Sequence, residues 1–168
     1  MSIKASVDFK DALAGLDVLK EVRHQLARSM AVAGGKVLRD EAKARAPVGT
    51  DDGGSKKPGG LQGAIYLAYK DKESTETREV YAVSWNAKKA PHGHLVEFGH
   101  WQTHARYKGK DGNWYTGAEL AAPKWVPANP FLRPAMDGSM SRAREAMIER
   151  GRVRLPELLA GRSGDDGL

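Results

Sequence analysis

The sequence predicts an α+β domain, and three observations carry that prediction. Apolar residues recur every three or four positions from Leu16 to Ala46, the period of an amphipathic helix. Residues 64–70 and 79–85 are rich in aromatic and β-branched side chains and are separated by a polar turn, the pattern of an antiparallel hairpin. A second helical stretch follows Pro134. The expected fold is a small twisted antiparallel sheet packed by one long N-terminal helix and a C-terminal helix, with long loops.

In chain order, Ile3, Ala5, Val7 and Phe9 alternate with polar residues, so a short strand is expected first and would join the later hairpin. The helical stripe comprises Leu16, Leu19, Val22, Leu26, Met30, Ala33, Val37 and Leu38, and Pro47 stops it. A helix of ~30 residues would span ~45 Å, more than one small sheet covers, so part of it is expected to meet another subunit. Gly34 and Gly35 inside it each cost roughly 1 kcal/mol relative to alanine, which predicts a bend or a close contact with another backbone.

Residues 47–63 read as a glycine-rich loop that buries no core face. After the hairpin, Leu95, Val96 and Phe98 suggest one helical turn closed by Gly99. Residues 99–129 read as a long irregular loop bearing Trp101, Trp114 and Trp125, with its tip at 108–113 and a proline-rich exit. Exposed tryptophans are interface anchors, whereas the alternative folds Trp101 and Trp125 back on the core. Pro134 is expected at the first position of the last helix, with Arg133 outside it. Met136, Met140, Ala143 and Met147 form one stripe of that helix. Pro156 is expected to interrupt it. One domain thus covers residues 1–156, followed by a flexible tail, 157–168.

The bulk numbers fit one soluble domain: 168 residues, 40% hydrophobic and 29% charged, with no cysteine to form disulfides or thiolate metal sites. The N-terminus lacks the apolar core of a signal peptide and no apolar run approaches ~20 residues, so neither export by that route nor a membrane partner is expected. A net charge of +6 favours proximity to an acidic partner such as DNA. The basic residues of the last helix nevertheless alternate with glutamates, which argues against sequence-specific reading.

The densest cluster of chemical side chains is His92, His94, Glu97 and His100, with His104 just beyond. It admits a metal-dependent hydrolase reading, but Gly99 breaks the helix that would align the ligands, and the HExxH pattern is missing. Neither a GxSxG elbow nor a phosphate-binding glycine loop occurs. An enzyme is therefore not expected, and no cofactor. A nonspecific DNA-binding protein is a third alternative. Glu97 and Arg133 are expected to pair, and Phe98 and Phe131 to anchor the core.

Taken together, several motifs carry a resemblance. A long helix ends in Ala-Lys-Ala-Arg-Ala-Pro-Val with Pro47 and Val48, and Leu61 leads into a strand. Then come His94-Leu95-Val96-Glu97-Phe98-Gly99 and Pro130-Phe131-Leu132-Arg133-Pro134. In this order, over roughly residues 10–150, the chain resembles the HK97 gp10-like family of tailed-phage proteins, associated with tail completion and head–tail joining. The loops at 51–60 and after Gly99 are longer than that family's usual pattern.

The resemblance implies a structural virion protein, assembled in the host cytoplasm, that forms a ring in the neck or at the head-proximal end of the tail, around the DNA channel. Implied partners are identical copies in a six- or twelve-fold ring, neighbouring neck, tail-tube or terminator proteins, and packaged DNA by proximity alone. A ring subunit needs two complementary heterologous surfaces. The long helix, Trp101, Trp114 and Trp125, and the stripe of Met136, Met140 and Met147 are the candidates.

Overall fold

The computed structural model describes residues 10–49 and 59–160, with the side chains of the first helix from Leu19 onward. The expected N-terminal strand at residues 3–9 and the tail from 161 lie outside the described residues. Helix α1 runs Lys10–Arg45 and ends just before Pro47, where the missing N–H and fixed φ stop helical hydrogen bonding. A five-residue helical turn, α2 (Gly60–Ala64), leads into strand β1 (Ile65–Tyr69). Leu61 therefore enters the core from a helix, and the glycine-rich loop is shorter at this end than the sequence suggests.

Strand β1 pairs antiparallel with β2 (Tyr81–Trp85), in a register running from Ile65 opposite Trp85 to Tyr69 opposite Tyr81. A short 3-10 turn at Asp71–Glu73 and a bridge between Thr75 and Arg78 make the connection. Helix α3 (Gly93–Phe98) follows, and Gly99, at φ 75°, closes it by donating its N–H to Leu95 O at 2.9 Å. A Cβ there would lie 2.8 Å from Val126 O and 2.9 Å from Ala128 N, so the corner requires glycine twice over.

The long irregular loop expected at 99–129 is instead a β-hairpin. Strands β3 (His100–Lys108) and β4 (Trp114–Val126) pair antiparallel as a separate two-stranded sheet. Its register is broken between Gln102 and His104, where the β4 partners run from Lys124 to Glu119, and again between His104 and Arg106. Such bulges twist and bend a strand. With most residues exposed on both faces, there is no apolar–polar alternation to reveal it. The 108–113 tip lies where the sequence puts it, with Gly112 at φ 79°.

Helix α4 spans Leu132–Leu159, so two expectations about its ends are corrected. It starts two residues before Pro134, and Arg133 is helical. Any first-turn position lacks an intrahelical acceptor, so proline is tolerated at the third residue as at the first. Pro156 does not interrupt the helix. One hydrogen bond is lost, while buried Arg154 bridges to Glu157 at 3.0 Å across the proline.

Helices α1 and α4 lie antiparallel, as successive contacts show: Met30 against Gly151, Gly34 against Met147, Arg45 against Gly138. Close approach replaces a bend as the reason for the glycine pair. A Cβ on Gly34 would sit 2.6 Å from Met147 Cγ, and one on Gly35 equally near Leu67 Cδ1. The ridge that α4 buries is Ala135, Ser139 and Ala143, one position behind Met136 and Met140. Polar ties line the seam: Arg150 Nε donates to Ser29 Oγ at 2.7 Å, and Arg142 reaches Glu41 at 2.6 Å. Glu41 also meets Arg45, and these two guanidinium groups, Arg142 first, hold its carboxyl below the ordinary value.

At the C-terminal end of α1 the core gathers Ala42, Ala46, Leu61, Ala64, Ile65, Ala90, Phe131 and Ala135. Alanine predominates, which lets the elements approach closely. Trp85 meets Phe131 edge to face at 6.1 Å between ring centroids.

Candidate interaction surface

The motif residues converge on one corner, where α3 meets the start of α4. Glu97 is 1% exposed, yet its carboxylate is fully engaged. Oε2 accepts the backbone N–H groups of Phe131 at 2.8 Å and Leu132 at 3.0 Å, and Oε1 accepts that of Arg133 at 3.3 Å. The fourth residue of this turn is Pro134, which has no N–H. Every donor left over at the N-terminus of α4 is thereby satisfied or absent, by a glutamate 34 residues away in the chain. Phe131, in the N-cap position, has no side chain able to do this.

Arg133 completes the corner. Its Nε donates to Glu97 Oε1 at 3.2 Å and its Nη2 to the Glu97 carbonyl at 3.0 Å, so the expected pairing is present. Burial alone would push the Glu97 carboxyl up. The N–H groups of Leu132, Phe131 and Arg133, together with the guanidinium, outweigh burial and hold it below the ordinary carboxylate range. Asn129 N–H donates to Val96 O at 2.8 Å, fixing the approach of the chain to α4.

The two phenylalanines separate. Phe131 is fully buried, as expected. Phe98 is 59% exposed and is not a core anchor. Its neighbour Glu97 takes the inward direction on this short helix, and the Arg133 guanidinium covers one Phe98 face at 5.3 Å. Of the other motif residues, Leu61 is buried, Pro47, Pro130 and Pro134 are half-buried, and Val48 and His94 are exposed.

The histidine cluster does not converge. His92 and His94 are exposed, His100 starts β3, and His104 bonds to Thr103 and faces Glu119 across the hairpin. Glu97, the carboxylate such a site would need, faces α4. Among the described residues no group of three or more His, Cys, Asp or Glu is placed to hold a metal ion. The metal-dependent hydrolase reading loses its ligand set.

What the corner launches is an aromatic arm. Trp101 and Trp125 face each other across its base at 5.3 Å and remain 62% and 46% exposed. They meet edge to face and neither is enclosed by the core, which overturns the folded-back alternative. Nearer the tip, Tyr107 and Tyr115 stack at 5.8 Å, and Arg106 lies over the Trp114 ring. Asp111 accepts the Tyr115 hydroxyl at 2.6 Å and the Asn113 amide at 2.7 Å, bonds that lower its carboxyl pKa and organise the tip. The tyrosine pair and Arg106 were not singled out from the sequence; their signal was the strand period that the bulges interrupt.

A second apolar surface is a groove of about 500 Å³ between α1, β1–β2 and α4. Gly34, Leu67, Tyr81, Met136, Met140 and Met147 line it. Met136 and Met140 thus border an open groove, while Met147 both lines it and packs against Gly34 at the helix seam.

A family model, HK97-gp10_like, described as "Bacteriophage HK97-gp10, putative tail-component", matches residues 10–99, more than half of the chain. The chain belongs to the HK97 gp10-like family. Neither a curated protein nor a solved structure matches it. In this gp10-like chain the match runs from the first residue of α1 to Gly99, narrower than the 10–150 expected from the motifs. It contains Pro47, Val48, Leu61, His94, Glu97, Phe98 and Gly99. The aromatic arm, the segment around Phe131 and all of α4 lie beyond it.

Proposed function

We propose that this gp10-like protein is a structural subunit of the head–tail junction or the head-proximal tail end, assembling as a closed ring of identical copies around the DNA channel. Membership in a tail-component family supports the class. The observation that carries the assembly reading is the aromatic arm. Three tryptophans and two tyrosines stand exposed along one hairpin, and monomeric proteins seldom leave such contiguous apolar surface to water. The arm and the methionine groove are distinct surfaces, as a heterologous, ring-closing contact requires. The net charge of +6 suits a ring near packaged DNA without base reading. No helix among the described residues is long and apolar enough to cross a membrane.

Native mass spectrometry and negative-stain electron microscopy of the purified protein test this reading. The expected result is one closed ring species, six- or twelve-fold. A monomer at every concentration, with no such ring in disrupted virions, would overturn it.

A further inference from the structure

We infer that the partner for the arm is the groove of a second copy: the β3–β4 hairpin of one subunit lies along α1, β2 and α4 of the next. This rests on the ring reading above and specifies its contact.

Shape and polarity favour this occupant. The groove is apolar and bordered by methionines, which adapt to irregular aromatic shapes. The arm is ~30 Å long at ~3.3 Å per residue over its nine-residue β3 strand, and the groove is open along α4 from Met136 to Met147, ~16 Å. In its own copy the arm packs substantially on neither the long helices nor β1–β2. A neighbour's arm, about twice the length of the groove, is thus an aromatic surface the chain itself provides that can fill the groove and reach past its end.

Charge fixes the direction. Glu79 lines the apolar groove and also an adjoining cleft of about 410 Å³, which Glu21, Asp71 and Glu76 share with His24 and Arg28. Its Oε1 meets His24 Nδ1 at 3.0 Å, whereas Oε2 is buried with no hydrogen-bond donor, on a side chain 6% exposed. An unsatisfied buried carboxylate oxygen leaves its negative charge uncompensated, and that field draws a cation to the mouth of the cleft. The arm tip carries Arg106, Lys108 and Lys110 against one acid, Asp111, which is already bonded to Tyr115 and Asn113. The aromatic length of the arm therefore fits the methionine groove, with its cationic tip at the acidic end.

The absence of cysteine from the chain makes the test direct. Tyr107→Cys protein is mixed with Thr75→Cys protein under mild oxidation; Thr75 lines the acidic cleft, and both substituted positions are exposed. A disulfide needs Cβ atoms ~4 Å apart, so its formation reports contact. Docking raises the local thiol concentration to the millimolar range, so heterodimer should form about a hundredfold faster than in a control pairing Tyr107→Cys with Lys88→Cys. Tyr115→Cys with Thr75→Cys serves as a second pair, with circular dichroism confirming folded protein in each case. Cross-linking at the control rate in both pairs, while native mass still gives a ring, would overturn arm docking and leave the ring reading standing. A protein that is monomeric by native mass and cross-links at the control rate would overturn both.

Discussion

The carboxylate of Glu97 accepts the backbone N–H of Phe131 at 2.8 Å, so a residue on α3 caps a helix that begins 34 positions later. This bond and its neighbours make the Glu-Phe-Gly corner and the start of α4 one structural unit. Glu97→Ala would leave three N–H groups without their acceptor and Arg133 without its partner. Leaving buried N–H groups without an acceptor typically costs about 1–3 kcal/mol, and the exposed Arg133 guanidinium adds little. Chemical denaturation should show that loss, and an unchanged midpoint would refute the capping role.

The same carboxyl gives a pH signature. Its pKa in the folded chain is lowered by the bonds it accepts, so it contributes stability above its unfolded pKa of about 4.3. That contribution falls away as pH drops through the lower, folded value. Glu97→Gln should therefore be less stable than the parent at neutral pH, with the gap closing below about pH 4. A gap that stays constant from neutral to acid pH would remove the charge from the explanation.

The neighbouring phenylalanines should behave oppositely. Phe131 is fully enclosed and packs against Trp85, so Phe131→Ala should cost about 3–5 kcal/mol. Phe98→Ala loses one exposed contact with Arg133, and the expected cost is below about 1 kcal/mol. Thermal melts of the two variants side by side decide it, and equal losses would contradict the burial difference.

These two residues also illustrate how much the sequence disclosed. The helical stripe of α1, the β1–β2 hairpin, the Gly99 stop and the Glu97–Arg133 pairing were legible because period, glycine chemistry and charge act locally or through motif order. Phe98 was misjudged because α3 is barely two turns long, too short for a periodicity to say which side faces inward. The β3–β4 arm was hidden for a related reason. With solvent on both faces it has no apolar alternation, and its bulges break the period that remains. Pro134 misled because proline rules describe a helix alone, whereas Glu97 holds this helix start from another element; at Pro156 the Arg154–Glu157 pair within α4 spans the proline.

Close contact at Gly34 sets a limit on the α1–α4 seam. A Cβ there would lie 2.6 Å from Met147 Cγ and 3.2 Å from the Ala143 carbonyl, and the latter is backbone that cannot rotate away. Gly34→Val should overpack the seam and cost about 1–3 kcal/mol despite removing a helix glycine. A variant as stable as the parent in denaturant would mean that the helices part more readily than their packing implies.

The tryptophan pair separates folding from assembly. Trp101 and Trp125 touch each other at the base of the arm, and neither belongs to the buried core. Replacing both with alanine removes a ring–ring contact worth about 0.5–1.5 kcal/mol, so the melting temperature should fall only modestly. Association should suffer far more, because exposed tryptophans at a contact are the side chains whose truncation costs 2 kcal/mol or more, about thirtyfold in affinity. The expected result is a folded, helical protein whose native mass shifts from ring to monomer. If the double variant assembles as the parent does, the base of the arm is surface alone. If it unfolds outright, the pair belongs to the fold after all, and the arm would have to be reread as an extension of the core.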